Sequence, residues 1–356
     1  MRVLLIGGRG FIGPSIIEQL QRAGHDVILF DRGARPELFT ELEYIQGDRQ
    51  HLADYAAAVR KTRPDVVIDV VLSSGRQAAE LMITFRGIAR RIVALSSMDV
   101  YRACGVLHGL EPGPLQAVPL TEESDLRTKL QTYSAEALAH ARKFLSWLDD
   151  EYDKIPVEQA VMSDPETPGT VLRLPFVYGP RDQLSRLLPI VKRISDGRRA
   201  ILLDEDVAQW RAPRGYVDNV AAAIVLAATS DQAARRIYNV AEQPAYSELE
   251  WTRKVVDAAE WRGEIFVVPS GLCPEHLKMP GNLQQHWAPD SGRIRRELGY
   301  REVVPLENAL RTTIAWVREH PQQFDASKFD YAAEDAYLDQ RAGKAGSGPI
   351  MKRSNA

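Results

Sequence analysis

Two stretches carry side chains whose types and spacing suit chemistry. In residues 150–159, "DEYDKIPVEQ", Tyr152 stands two residues before Lys154. A phenol titrates near ~10 and is a poor base at neutral pH unless nearby positive charge stabilises its anion, so a tyrosine and a lysine held together can move a proton. Near the N-terminus, Gly7, Gly10 and Gly13 recur three apart in "GGRGFIG", between the strand-like "RVLLI" and the helix-like "PSIIEQLQRAG". Glycines in that context allow a tight turn and close approach of backbone N–H groups to a pyrophosphate, with the helix N-terminus adding partial positive charge. Arg9, Phe11 and Ile12, between those glycines, count with them as cofactor-contacting positions.

A second strand-like run, "DVILF", ends in Asp31, where a ribose-binding acid is expected. Asp31 would accept hydrogen bonds from both ribose hydroxyls and repel a 2′-phosphate, which favours NAD. Arg9 and Arg32 together would suit a 2′-phosphate, which keeps NADP as the alternative. Asp48 in "GDRQHL" suits an adenine amino group or, equally, the cap of the following helix.

The elements that must position these residues follow an alternating pattern. Apolar runs at 2–6, 27–30, 66–72 and 91–96 alternate with helically spaced stretches such as "HLADYAAAVRKTRPD", which implies a parallel sheet covered on both faces, the doubly wound α/β architecture. The Gly- and Pro-rich region 102–130 reads as a long loop over one end of the sheet. "SAEALAHARKFLSWLDD" reads as one amphipathic helix through Leu138, Ala141, Phe144, Leu145 and Leu148. Helices are expected at 183–196, "GYVDNVAAAIVLAATS", "SELEWTRKVVDAAEW" and "LENALRTTIAWVREH", and strands at "TVLRLPFVYG", "RAILLD", "RIYNVA" and "EIFVVP". The last residues, "QRAGKAGSGPIMKRSNA", read as a mobile tail.

The 356 residues hold 45% hydrophobic and 26% charged side chains, values of an ordinary globular protein able to bury a large core. A formal charge of −3 offers no overall attraction to nucleic acid or anionic lipid. With only Cys104 and Cys273 and no clustered His/Cys ligands, neither a disulfide framework nor a metal site is indicated, and a reducing cytoplasm fits. "MRVLLIGG" is too short for a signal or membrane segment and reads as a buried strand.

The glycine series, Gly47–Asp48, "VALSSMDVY", "KIPVEQAV", "LRLPFVYGPRD", "GYVDNVAAAI", "YNV" and "RIRRELGY" occur in the order seen in extended short-chain dehydrogenases/reductases. The chain therefore resembles the NAD-dependent epimerase/dehydratase proteins over residues 1 to 318. The resemblance implies a Rossmann-type domain over 1–180, with 210–242 returning to it. It also implies a smaller α/β substrate lobe from 181–209 and 243–320, a C-terminal extension over 321–356, NAD in the cleft, often a nucleotide-sugar substrate, and a homodimer through a helix pair near 134–164. Lys154 matches the lysine that lowers the tyrosine's pKa and holds the nicotinamide ribose, and Ser97 matches the serine that hydrogen-bonds the reacting oxygen.

The match departs at several positions. The residue four before Lys154 is Asp150, not tyrosine, and Pro156 forbids a regular helix running back through Tyr152. A break near Tyr152, with Asp153 capping a helix that starts at Lys154, is the expected solution. Tyr152 then serves as the phenol, with Tyr133 and Tyr101 as the other candidates. Met98–Asp99 stands where dehydratases carry an Asp–Glu pair, which disfavours ordinary dehydration and leaves Asp99 as a single acid or base. Phe176 replaces a substrate-side asparagine. Arg211 and Arg214 are the expected diphosphate ligands, and Tyr101, His286 and its neighbouring glutamines are candidates for the pocket wall. The chemistry implied is hydride transfer on a sugar nucleotide or related hydroxylated molecule. The alternative is a dinucleotide-binding protein with altered catalytic residues and a regulatory or RNA-associated role.

Overall fold

The computed structural model describes residues 1–33, 39–320 and 324–346. Eleven strands are present among them: β1 (Arg2–Ile6), β2 (Asp26–Asp31), β3 (Glu43–Gln46), β4 (Val66–Asp69), β5 (Arg91–Ser97), β6 (Gly169–Leu174), β7 (Phe176–Tyr178), β8 (Ala200–Asp204), β9 (Arg214–Tyr216), β10 (Arg236–Asn239) and β11 (Glu264–Val268). Seven of them form one sheet in the order β10-β6-β5-β4-β1-β2-β3, and every pairing in it is parallel. The chain is thus an α/β protein built on a Rossmann-type doubly wound sheet. Two short parallel pairs, β7 with β9 and β8 with β11, stand apart from it.

Side chains alternate across a strand, so the continuous apolar runs feed two cores. Val3, Leu5, Leu29 and Ile68 join one, packed by Ile16, Ile17 and Leu20 of helix Gly13–Arg22 and Ile224 of helix Val217–Thr229. Leu4, Ile6, Ile28 and Val67 join the other, packed by Leu81 and Phe85 of helix Gly75–Phe85 and Val157 and Val161 of helix Lys154–Ser163. Those last two helices meet closely, since a Cβ on Gly75 would stand 2.6 Å from that of Pro156.

Several local expectations differ from the fold: "TVLRLPFVYG" is divided at Pro175 into β6 and β7, which join different sheets, and the helix expected over 183–196 runs only over Leu188–Ser195. Residues 102–130 are not loop throughout, because Arg102–Leu107 is helical despite Gly105 within it; its Ala103, Cys104 and Leu107 are buried beside Leu283 and Trp287. The helix over 134–150 stops early, at Arg142. There the Arg142 guanidinium turns the chain back, donating to the Leu148 carbonyl at 3.2 Å and pairing with Asp150 at 2.5 Å. The tail expected to be mobile from residue 340 is helical as far as Gly346, within Tyr331–Gly346. That helix is anchored by the buried Glu334, paired with Arg193 at 2.5 Å. The rest of the expected tail, 347–356, lies outside the described residues.

Candidate active site

The sheet order reverses between β1 and β4, and a cleft opens at the carboxyl ends of the strands on either side, the place where open α/β sheets bind ligands. One part of the cleft is walled by Gly7, Gly10, Asp31, Arg32 and Asp48. The adjoining part is walled by Ser97, Asp99, Tyr133, Tyr152, Lys154 and Phe176. Phe11, Ile12, Val70, Leu145 and Trp147 belong to both.

The glycine loop is shaped by close approach. Gly7 has φ +82°, and a Cβ on Gly13 would lie 2.0 Å from the Gly8 carbonyl oxygen, so the helix can start this near the strand only with glycine there. Gly8 is less constrained, since its Cβ would meet side-chain methyls, of Leu29 at 2.6 Å and of Leu5 at 2.7 Å, rather than backbone. Gly10 differs: its nearest neighbour would be 3.7 Å away, which leaves that side of the loop open to the cleft. The Asp31 carboxylate accepts the Arg9 backbone N–H at 3.2 Å. Arg32 donates to the Ser146 hydroxyl at 3.0 Å, tying the β2 end to the segment that crosses the cleft. Asp48 caps the helical turn Arg49–Tyr55 by accepting from the Gln50 N–H at 2.9 Å, and its residue still faces the cleft.

The break in "DEYDKIPVEQ" is present. Asp153 caps helix Lys154–Ser163, accepting from the Ile155 N–H at 2.9 Å while pairing with the buried Arg127 at 3.1 Å. Pro156 sits in the first turn, where its missing N–H costs nothing. Asp150, at the position where the resemblance calls for a tyrosine, projects into solvent with 91% of its side chain exposed. Lys154 is buried, and its ammonium donates to the carbonyls of Leu72 and Leu95, the latter at 3.0 Å. It lies 5.2 Å from the Trp147 ring and 5.6 Å from the Tyr152 ring. Burial pulls its pKa down to about 8, against the opposing charges of Asp99, Asp69 and Asp149.

Tyr152 turns into the cleft. Its hydroxyl donates to Asp99 Oδ2 at 3.0 Å, and Tyr133 donates to the same oxygen at 3.4 Å. Asp99 is 2% exposed, and its second oxygen, Oδ1, is buried with no hydrogen-bond partner. Burial pushes the Asp99 carboxyl above its ordinary range, although Arg127 and the Tyr152 hydrogen bond pull the other way. Burial also raises the Tyr152 phenol well above its ordinary value, and the charge of Asp99 raises it further. Ser97 accepts the Asp99 N–H at 3.1 Å and so fixes the turn that aims Asp99 at the tyrosines. The phenol therefore faces a carboxylate more directly than it faces the lysine.

Ser97, Asp99, Tyr133, Tyr152, Lys154 and Phe176 come together, while other candidates do not. Tyr101 is fully buried in the core, its hydroxyl donating to Asn239 at 2.6 Å and accepting from Arg173 at 3.0 Å, so it has no face toward the cleft. Arg211 is held by Glu250 at 3.0 Å and the Ala245 carbonyl at 2.8 Å. Arg214 pairs with Glu248 and lies 4.5 Å over the Trp251 ring. Neither arginine lines the cleft, because carboxylates from the start of helix Glu248–Ala258 claim both. His286 and Gln285 also lie outside its walls, Gln285 being taken up by the backbone of Gln116. Phe176 packs edge-on against Trp287, with ring centroids 5.3 Å apart.

Sequence reasoning missed Trp147 and Arg186. Arg186 lines the cleft with its guanidinium on Asp182 at 2.8 Å and on the Val177 carbonyl at 2.9 Å. The signal available was the Asp182–Arg186 spacing of four after "VYGP".

The sequence profile of the NAD dependent epimerase/dehydratase family matches residues 3–241. The chain is 25% identical over 288 residues to 2′-dehydrokanamycin reductase of Streptomyces kanamyceticus, covering 78% of this chain and 72% of that one. It is 23% identical over 355 residues to UDP-glucose 4-epimerase of Corynebacterium glutamicum, covering 89% and 95%. Among solved structures, the Bordetella bronchiseptica enzyme WbmG in complex with NAD and UDP superposes with a TM-score of 0.65 at 17% identity, covering 90% of this chain and 95% of that one. The match spans two-thirds of the chain and contains the glycine loop, Asp31, Ser97 and Lys154, which together line one cleft: the chain belongs to the NAD dependent epimerase/dehydratase family.

Proposed function

We propose that the protein is an NAD-dependent oxidoreductase or epimerase that interconverts a hydroxyl and a carbonyl on a small hydroxylated substrate, with nucleotide sugars the first class to test. The observation that carries this reading is the arrangement of Ser97, Tyr152 and Lys154 on one wall of a cleft whose other end is the glycine loop and Asp31.

The residues present fit a dinucleotide. The open side of Gly10 and the N–H groups of the following helix suit a pyrophosphate, and the Asp31 carboxylate suits ribose hydroxyls. Two of the three Lys154 N–H donors are committed to carbonyls, which leaves one for a ligand hydroxyl. When bound, NAD supplies a two-electron acceptor for the carbinol hydrogen. The chain's own part is to hold the reacting oxygen against the hydroxyls of Tyr152 and Ser97, to move its proton, and to exclude water with Trp147, Phe176 and Trp287. Asp31 favours NAD over NADP, because its carboxylate would repel a 2′-phosphate. The relatives named a reductase and an epimerase support both net and transient redox chemistry for this class of site.

The test offers the purified protein NAD, NADH and their phosphorylated forms with a panel of nucleotide sugars and unphosphorylated sugars. Nicotinamide reduction or epimer formation supports the proposal. A protein that binds no dinucleotide and converts nothing on the panel overturns it.

A further inference from the structure

The family's chemistry needs a proton acceptor at the reacting oxygen, and the environment of Tyr152 does not favour its phenolate. Lys154 is 5.6 Å from the ring and spends two donors on backbone carbonyls. The carboxylate that takes the Tyr152 hydroxyl hydrogen bond is Asp99, at 3.0 Å, while the Ser97 side chain also hydrogen-bonds the phenol. That carboxylate is 2% exposed, receives a second phenol from Tyr133, and keeps a buried oxygen without a partner. A buried carboxylate with an unused lone-pair face is costly unless it works or is neutralised.

We propose that Asp99 is the proton acceptor of the site, with Tyr152 as the relay: the substrate hydroxyl gives its proton to Tyr152 Oη while the phenol gives its own to Asp99 Oδ2. This rests on the redox reading above. In the oxidising direction the carbinol C–H bond breaks, its electron pair passes to the oxidised dinucleotide, the C=O bond forms, and Asp99 ends as a carboxylic acid beside a neutral phenol. Reduction runs the same transfers backward. Tyr152 touches the reacting oxygen and Asp99 acts through it. The upward push that burial gives the Asp99 carboxyl fits this role, since a more basic carboxylate is the better acceptor for a phenol. The charged and titratable groups facing Asp99 are Arg127 and Asp153 behind it, Lys154 beside it, and Tyr133, Tyr152 and Cys104 around it.

The test needs no known substrate. Full-length protein labelled at aspartate Cγ and tyrosine Cζ is titrated by NMR, with and without NAD. We expect one carboxyl carbon to titrate above the ordinary range, vanishing in Asp99→Asn, and the Tyr152 resonance to move with the same midpoint. In Asp99→Asn the phenol's own titration falls toward its ordinary value, and Asp99→Glu restores the coupled signal. Should Asp99→Asn not fold, Tyr152→Phe serves: losing the donor must push the Asp99 midpoint upward. An Asp99 carboxyl titrating in the ordinary range, or a Tyr152 resonance insensitive to it, overturns the relay. On any substrate the protein turns over, Asp99→Asn must lose at least ~100-fold at neutral pH and recover about tenfold per pH unit as hydroxide takes the proton. A wild-type rate at every pH overturns the relay while leaving the redox reading intact, and absent dinucleotide binding overturns the redox reading while the coupled titration still stands or falls by itself.

Discussion

Replacing Lys154 with methionine makes a quantitative test of the electrostatics at the cleft. The ammonium is 3% exposed, and burial lowers its pKa from an ordinary 10.5 to about 8. The unfolded chain therefore holds this proton up to 10.5, while the folded chain releases it near 8. Between those values unfolding takes up a proton, so the folded state gains stability as pH rises; below 8 both states are protonated and the contribution is flat. Each pH unit of that interval corresponds to about 1.4 kcal/mol, so wild type should gain on the order of 3 kcal/mol relative to Lys154→Met between pH 7 and pH 10.5. Loss of the donor to the Leu72 and Leu95 carbonyls adds a cost that does not depend on pH, so it cancels from the slope. The assay is urea unfolding of both proteins followed by tryptophan fluorescence across that range, with the difference in free energy plotted against pH. Other lysines and tyrosines titrate in both proteins and drop out. A difference that stays flat, or that falls with rising pH, refutes the desolvated ammonium and with it the site's electrostatic picture.

Further outcomes follow from the same geometry. Gly10→Val should fold with near wild-type stability, since the added side chain meets only open cleft, yet weaken NAD binding at least ~10-fold in calorimetry, whereas Gly13→Ala should destabilise the fold because its Cβ overlaps the Gly8 carbonyl. Asp153→Ala removes the cap of helix Lys154–Ser163 and one of the two carboxylates beside the buried Arg127, costing about 3 kcal/mol in chemical denaturation. Arg186→Ala should raise KM for whichever substrate is turned over, while Arg211→Ala and Arg214→Ala should leave it unchanged, because of these three only Arg186 lines the cleft.

How much of this was legible in the sequence depends on how local each signal is. The alternating apolar runs made the doubly wound sheet readable, and the strand–loop–helix unit around the glycine series was readable because its parts are contiguous. The cap at Asp153 was readable too, since Pro156 forces a helix start within a few residues. What resisted reading is set by partners remote in sequence. Tyr133 and Tyr152 lie 34 and 53 residues beyond Asp99, yet all three meet at one carboxylate oxygen. Tyr101 looked available until Asn239 and Arg173 enclosed it. Arg211 and Arg214 looked like free cations because Glu250 and Glu248, which neutralise them, follow more than thirty residues later. Arg142 ended a helix that apolar spacing alone would have continued, by turning to bind the chain six and eight residues ahead.

In the proposed reaction the displaced tyrosine of "DEYDKIPVEQ" does the proton chemistry of a dinucleotide-dependent hydride transfer. The direct measurement compares wild type and Tyr152→Phe for NAD affinity and for hydride transfer, read from reduced-nicotinamide absorbance with the best substrate of the panel. NAD affinity should be unchanged, since the Tyr152 hydroxyl donates to Asp99, and transfer should fall at least ~100-fold. Hydride transfer in Tyr152→Phe at the wild-type rate contradicts that role for Tyr152.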